Sequence, residues 1–228
     1  MIYEAFKNLD FMHGLILFVV QISALFLALP VHEWAHAYVA YKQGDATAKY
    51  SGRMTLAPHA HFDLWGFLFL YFFGFGWAKP VPVNSTNFKN PKKSGILVSL
   101  AGITANLIVG TILIIISSAL ARFCPNYVAE WGYYGYALKN FLASAISINF
   151  VLVFFNILPI YPLDGFRVIE SLSSKPKNSF LEFMRRYSWA ILLLLILFTY
   201  IFDLYFTYTA GMTIEGISYV FDKLFSLI

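Results

Sequence analysis

Cysteine is nearly absent from this 228-residue chain, where Cys124 stands alone. An intramolecular disulfide and a cysteine-based zinc cluster are both excluded, and the redox compartment stays open. Charge is scarce as well, at 12% of residues against 59% hydrophobic, with a mean hydropathy of +0.66. Soluble domains carry about twice that charged fraction, so the composition is that of a membrane protein. The net charge of +4 does not argue for nucleic acid, because the basic residues are scattered through short loops with no aromatic-basic platform. They read as topology markers, and no nucleic-acid partner is expected. Nor is a cleavable signal peptide expected: the first residues hold one lysine and two acids, with no small-residue cleavage site before His32.

Long apolar runs are what the chain does have. Four stretches reach the roughly 20 residues that cross a bilayer, at about 12–41, 95–121, 137–158 and 187–206. The second has no charge and is rich in small residues (Gly95, Ala101, Gly102, Thr104, Ala105, Gly110), which let helices approach closely and place it inside a bundle. A fifth apolar stretch, 64–78, would span only about 20 Å as a helix, short of a core about 30 Å thick. If it dips in and returns, one side of the membrane collects Lys42, Lys49, Arg53, Lys79, Lys89, Lys92, Lys93, Arg167, Lys175, Lys177, Arg185 and Arg186. Those are twelve of the 16 basic residues, the bias that marks a cytoplasmic side. A crossing would scatter them, so a re-entrant or interfacial segment is expected. The tail residues Ile217, Val220, Phe221, Leu224, Phe225 and Ile228 have helical spacing and are expected on the outer surface.

Inside the first run lies His32-Glu33-Trp34-Ala35-His36. On a helix the two histidines fall one turn apart on one face, where they can grip a zinc ion with Glu33 beside it to take a proton from water. Ionisable groups at the centre of a bilayer cost about 2.5–3.5 kcal/mol each on insertion scales, which a snorkelling helix end would reduce but a metal site would explain. Pro30 precedes the motif and removes an amide donor, so a kink is expected there.

The same topology brings a second motif to the same depth, Asn156-Ile157-Leu158-Pro159-Ile160-Tyr161-Pro162-Leu163-Asp164-Gly165. Zinc in a hydrolytic site takes a third protein ligand and keeps one position for water. Spacing alone leaves two roles open for Asp164, that ligand or the N-cap of a helix over 165–172. Residues 46–56 have strand-like composition, and 79–84 with alternating prolines reads as extended edge structure. Either could pair with an unwound substrate as an added strand, or be a plain surface loop. His59 and His61 form a His-x-His pair. His61 is the candidate to support the metal ligands by hydrogen bonding, and His59 is expected to be exposed.

The two motifs together resemble the site-2 protease family of intramembrane zinc metalloproteases. Gly52-Arg53-Met54-Thr55-Leu56, Pro58-x-x-His61-Phe62-Asp63 and Gly76-Trp77-Ala78-Lys79-Pro80-Val81-Pro82-Val83-Asn84 are similar to its small bacterial branch, so the likeness runs from about residue 14 to 172. Carried over residue by residue, it implies one zinc per chain held by His32, His36 and Asp164, with Glu33 as catalytic base. The family's Ala-Gly-Pro-x-x-Asn is here Ala101-Gly102-Ile103-Thr104-Ala105-Asn106. The proline is lost, and Asn106 remains as a candidate oxyanion or substrate contact, or as a polar packing residue. Ala57 stands where members have Asn, and no PDZ or nucleotide-sensing domain is expected.

The resulting expectation is an all-α membrane protein. It is a polytopic helical bundle of about four transmembrane helices, with a re-entrant or interfacial segment and short β-like edge loops near the active site. Residues 1–228 form one integral-membrane metalloprotease domain, with its catalytic core about 12–172 and a fourth span and amphipathic tail about 187–228. The resemblance implies a metalloendopeptidase that cuts transmembrane protein or peptide substrates in or near their helices. It would sit in the bacterial cytoplasmic membrane with the site toward the cytoplasm. A metal-ion transporter and a non-catalytic zinc-containing scaffold are the alternatives. A transporter predicts several sites along a path. A scaffold has no use for Glu33.

Overall fold

The computed structural model describes residues 11–73, 76–173, 179–197 and 204–227. In chain order the helices are α1 (Phe11–Lys42), α2 (Thr47–Tyr50), α3 (Pro58–His61), α4 (Leu64–Phe73), α5 (Pro91–Phe123), α6 (Tyr127–Glu130), α7 (Tyr133–Asn156), α8 (Asp164–Leu172), α9 (Ser179–Leu197) and α10 (Met212–Phe225). No strand is found among the described residues.

Three of these helices, α1, α5 and α7, are long and apolar enough to cross a membrane. At 1.5 Å per residue they reach roughly 48, 50 and 36 Å, each beyond a core of about 30 Å. They pack pairwise around a core of Ala24, Ile114, Leu142, Ala145, Ile146 and Phe150. Leu107, Ile108, Ile112 and Ile116 of α5 remain exposed, an apolar face that suits lipid rather than water. α5 starts where its sequence directs. Asn90 accepts a hydrogen bond from the Lys93 amide and Pro91 takes the first helical position. α1 continues through Pro30 as one helix, so the expected kink does not interrupt it.

Of the expected fourth span, about 187–206, α9 covers only the first part, and residues 198–203 lie outside the described residues. α10 differs from its expectation. Ile214, Ile217 and Phe221 pack against the central core, while Val220 and Leu224 stay exposed, so the tail is a packed amphipathic helix. The strand-like stretch 46–56 also differs, since Thr47–Tyr50 closes a helical turn instead. Asp45 explains that choice. Its carboxylate accepts from the Thr47 amide and hydroxyl, and such a local bond favours a helix start over a ladder.

The stretch 64–78 begins as α4 and doubles back. The Lys79 amide donates to the His61 carbonyl at 2.9 Å, and a Cβ on Gly66 would lie 2.0 Å from the Trp77 carbonyl oxygen. Its two ends are therefore together. Arg53 anchors the second end by donating to the carbonyls of Lys79 (2.6 Å) and Pro80 (3.2 Å).

Asp45, fully buried, ties the next loop down. It accepts from the Asn84 amide at 2.7 Å and the Asn87 side chain at 2.9 Å. Burial pushes its carboxyl pKa up, but hydrogen bonds from Thr47, Asn84 and Asn87 outweigh this and leave it below the usual carboxylate range. A depressed folded pKa means the contribution is present above the unfolded value near 3.9 and is lost as pH falls through the folded one. Asp45→Asn is expected to destabilise the protein by about 2 kcal/mol at neutral pH. That difference should shrink only below about pH 4, as thermal unfolding in detergent across pH would show.

Candidate metal centre

α1 carries His32 and His36 on the face turned toward α5, with 5% and 8% of their surface exposed. Their Nε2 atoms are 3.0 Å apart. α8 opens at Asp164, and its Oδ2 lies 3.2 Å from each Nε2. The N-cap position belongs to Leu163 and no side-chain cap bond forms, so Asp164 faces the histidines and not its own helix start. Of the two roles that spacing left open, the cap is thus not the one seen.

The hydrogen bonds behind the imidazoles fix their protons. His32 Nδ1 meets Asn106 Oδ1 at 2.6 Å and His36 Nδ1 meets the Val98 carbonyl at 2.7 Å. Both oxygens can only accept, so each Nδ1 carries the hydrogen and each Nε2 presents a lone pair. Asp164 Oδ2 is fully buried and has no hydrogen-bond partner among the described residues. Two lone pairs and a carboxylate oxygen facing one point repel one another unless a cation joins them. Tetrahedral zinc with bonds of about 2.0–2.1 Å needs ligand atoms about 3.3 Å apart, which the 3.0, 3.2 and 3.2 Å triangle approaches. The donor set fits zinc, and these three residues form the one such cluster found among the described residues.

Two glycines allow the cluster to assemble. A Cβ on Gly102 would lie 2.5 Å from His36 Nε2 and 2.6 Å from His32 Cε1, so only glycine lets α5 pass the imidazoles. A Cβ on Gly165 would meet the Ile157 carbonyl oxygen at 2.2 Å, so the turn that delivers Asp164 also depends on a missing side chain.

Glu33, half-buried, lines a cavity of about 110 Å³ together with His32, His36, Val81, Asp164 and Arg167. Its Oε2 accepts from the Val81 amide at 2.8 Å. Pro80 and Pro82 have no amide hydrogen, so Val81 is the natural donor of that stretch, a signal the sequence held but the sequence reading missed. The Val98 carbonyl behind His36 had no such signal.

Asn106 is not free for an oxyanion or substrate. Its Oδ1 faces His32 and its Nδ2 donates to the Ala28 carbonyl (3.1 Å) and Asn149 Oδ1 (2.8 Å), so both amide hydrogens are occupied inside the bundle. It orients His32 instead. His61, expected to support the metal ligands, places its Nε2 2.8 Å from the Thr55 carbonyl and touches neither histidine of the cluster through a hydrogen bond. His59 is exposed.

Comparison with known proteins agrees with this geometry. The profile described as Peptidase family M50 matches residues 128–198, which include the Asn156–Asp164 motif. The chain is 40% identical over 177 residues to "Putative zinc metalloprotease YwhC" of Bacillus subtilis (strain 168), covering 78% of each protein. The chain belongs to peptidase family M50. It is also 31% identical over 158 residues to "Putative zinc metalloprotease Rip2" of Mycobacterium tuberculosis, spanning 67% of this chain and 57% of that one. To "Zinc metalloprotease MJ0392" of Methanocaldococcus jannaschii it is 26% identical over 168 residues, 74% of this chain and 38% of that one. No solved structure matches it. This M50 chain is a zinc metalloprotease with membrane-spanning helices.

Proposed function

We propose that this M50 protease cuts peptide bonds in or near the transmembrane helices of other membrane proteins. In this reading His32, His36 and Asp164 hold the zinc and Glu33 is the general base. The observation that carries it is the convergence of three buried donors on one point with Glu33 in the adjoining cavity.

Zinc held there supplies a Lewis acid for the scissile carbonyl and lowers the pKa of water toward about 7. Everything else falls to the chain. Asn106 and the Val98 carbonyl keep each Nε2 deprotonated and its ring in place. The Val81 amide holds one Glu33 oxygen, leaving the other to take the proton of the attacking water and deliver it to the leaving amine. Burial of the cluster keeps bulk water from competing with these contacts. A substrate helix hides its own carbonyls, so it must unwind before it can enter a cavity of about 110 Å³.

The test is a purified preparation in detergent, given peptides that contain a hydrophobic span. Cleavage should stop on chelation with 1,10-phenanthroline and return with added zinc, and the new N-termini should map within or beside the apolar segment. Cuts confined to soluble, polar peptides would overturn the intramembrane reading.

In the membrane, the site faces the cytoplasm and the stretch 64–78 returns to the side it left. The twelve-residue basic bias and the joined ends at His61 and Lys79 support this together. Cysteines introduced at 49 and 92 should resist a membrane-impermeant thiol reagent in intact cells and label after lysis. The exposed Cys124 should label from outside. Labelling of position 92 but not 49 in intact cells would mean the stretch crosses.

A further inference from the structure

The oxygen of a scissile carbonyl gains negative charge as water adds to the carbon, and a buried hydrogen-bond donor beside it stabilises that charge. Two donors near the cluster are already spent. Asn106 gives its amide hydrogens to the Ala28 carbonyl and Asn149, and the Val81 amide serves Glu33. Besides the two histidines, three side chains able to donate line the cavity at the cluster: Ser99, Asn156 and Arg167. Ser99 is 4% exposed, and its hydroxyl has no hydrogen-bond partner among the described residues. Hydroxyls on helices ordinarily bond back to the carbonyl four residues earlier. Two threonines of α5 do so, Thr104 to Leu100 and Thr111 to Leu107, both at 2.8 Å. Ser99 makes no such bond to Gly95, so its one hydrogen is unspent.

α5 sets this hydroxyl between the two helices that carry the metal-facing residues. Four residues before Ser99, a Cβ on Gly95 would collide with Ser171 Oγ of α8. Three residues after it, a Cβ on Gly102 would collide with the His32 and His36 rings of α1. Positions 95, 99 and 102 share one face of a helix, so Ser99 stands in the crevice where α1 and α8 approach each other. The cavity of about 110 Å³ occupies that crevice. The neighbouring Val98 carbonyl holds His36 Nδ1, which places this turn of α5 directly beside the cluster.

We propose that Ser99 is a catalytic residue of this protease, whose Oγ–H donates to the oxygen of the scissile carbonyl as charge develops there. The proposal rests on the protease reading and adds a residue to that same site. The other two donors are less suited. Arg167 is exposed, so water screens its charge. Asn156 is half-buried and already donates to the Leu152 carbonyl at 3.0 Å. Ser99 joins full burial to a free hydrogen, and a donor bonds a charged oxygen most strongly where water is excluded. The proton stays on Oγ throughout, so Ser99 forms no covalent bond to the substrate.

The experiment uses the zinc-loaded protein in detergent and a peptide with an apolar span whose cut bond has been mapped. Ser99→Ala should lower kcat about 10- to 100-fold with little change in KM, as loss of one hydrogen bond to a charged group would. Ser99→Thr, which keeps the hydroxyl, should recover most of that rate. A peptide with a phosphonamidate at the cut position presents a charged tetrahedral oxygen, and Ser99→Ala should bind it more weakly by the same factor. The uncut peptide should bind equally to Glu33→Gln and to the protein carrying both Glu33→Gln and Ser99→Ala. Because the hydroxyl has no protein partner, zinc content and thermal unfolding of Ser99→Ala should match the unmodified protein, whereas a packing role would move them. Unchanged kcat and unchanged phosphonamidate binding in Ser99→Ala would overturn the assignment. So would a loss that Ser99→Thr does not repair, or one seen in Asn156→Ala and absent from Ser99→Ala. Should the enzyme cut only soluble, polar peptides and Ser99→Ala slow that cleavage alike, the donor stands and the intramembrane reading falls.

Discussion

His36→Ala is expected to strip zinc from the purified protein. Structural zinc sites are worth about 10–16 kcal/mol over four ligands, so one lost imidazole removes about 3 kcal/mol, a loss of affinity of roughly a hundredfold or more. Replacement of His32 should do the same, and Asp164→Ala should weaken retention while leaving two imidazoles on one face. Gly102→Ala is the more searching variant, because it changes no ligand. Its methyl would lie 2.5–2.7 Å from three imidazole atoms, so α5 must withdraw or the rings must turn, and either spreads the donor triangle. Asn106→Ala leaves His32 Nδ1 without its acceptor and should lower affinity about 10- to 100-fold. Metal content by mass spectrometry, with competition against a chelator of known affinity, reads all of these. Full zinc occupancy in His36→Ala protein would overturn the ligand set, and an unchanged affinity in Gly102→Ala would show that α5 does not confine the histidines.

The features most legible in the sequence were those written as period and chemistry along one segment. The three long helices begin and end within about four residues of the expected spans, because apolar length is written locally in the chain. The small residues of the second span pointed to close packing, and Gly102 shows where that closeness matters. Spacing placed Asp164 at the right depth but could not choose between cap and ligand, since both roles suit an aspartate before a helix. The fold turns the carboxylate toward α1 and leaves the N-cap position to Leu163.

What stayed hidden depends on contacts between distant segments. The sequence left Asn106 open between an oxyanion or substrate contact and polar packing, because nothing local says that Asn149 and the Ala28 carbonyl will claim its amide hydrogens. The strand-like residues 46–56 were misread for a related reason: Asp45 bonds Thr47 locally and Asn84 and Asn87 at long range, and this network outweighs β propensity. Asp45 also holds the loop whose Val81 amide grips Glu33, so the loop and the base are positioned as one unit.

That grip makes Glu33→Gln the sharpest probe of the chemistry. The amide oxygen of glutamine can still accept from the Val81 amide, so the side chain should keep its place, and no zinc donor is altered. What disappears is the capacity to take a proton from water, since a carboxamide is not basic near neutral pH. General-base assistance contributes about 10²- to 10⁴-fold, and Glu33 serves twice if it also hands the proton to the leaving amine, so kcat should fall by at least about a thousandfold. KM should change little if the Val81 contact holds the geometry. Val81→Pro tests the positioning half separately: it deletes the one donor to Glu33 found among the described residues while keeping the carboxylate basic. It should lower kcat by less than Glu33→Gln does. Turnover of Glu33→Gln near that of the unmodified enzyme would remove Glu33 from the mechanism. A Val81→Pro loss as large as that of Glu33→Gln would mean that holding the carboxylate matters as much as its basicity.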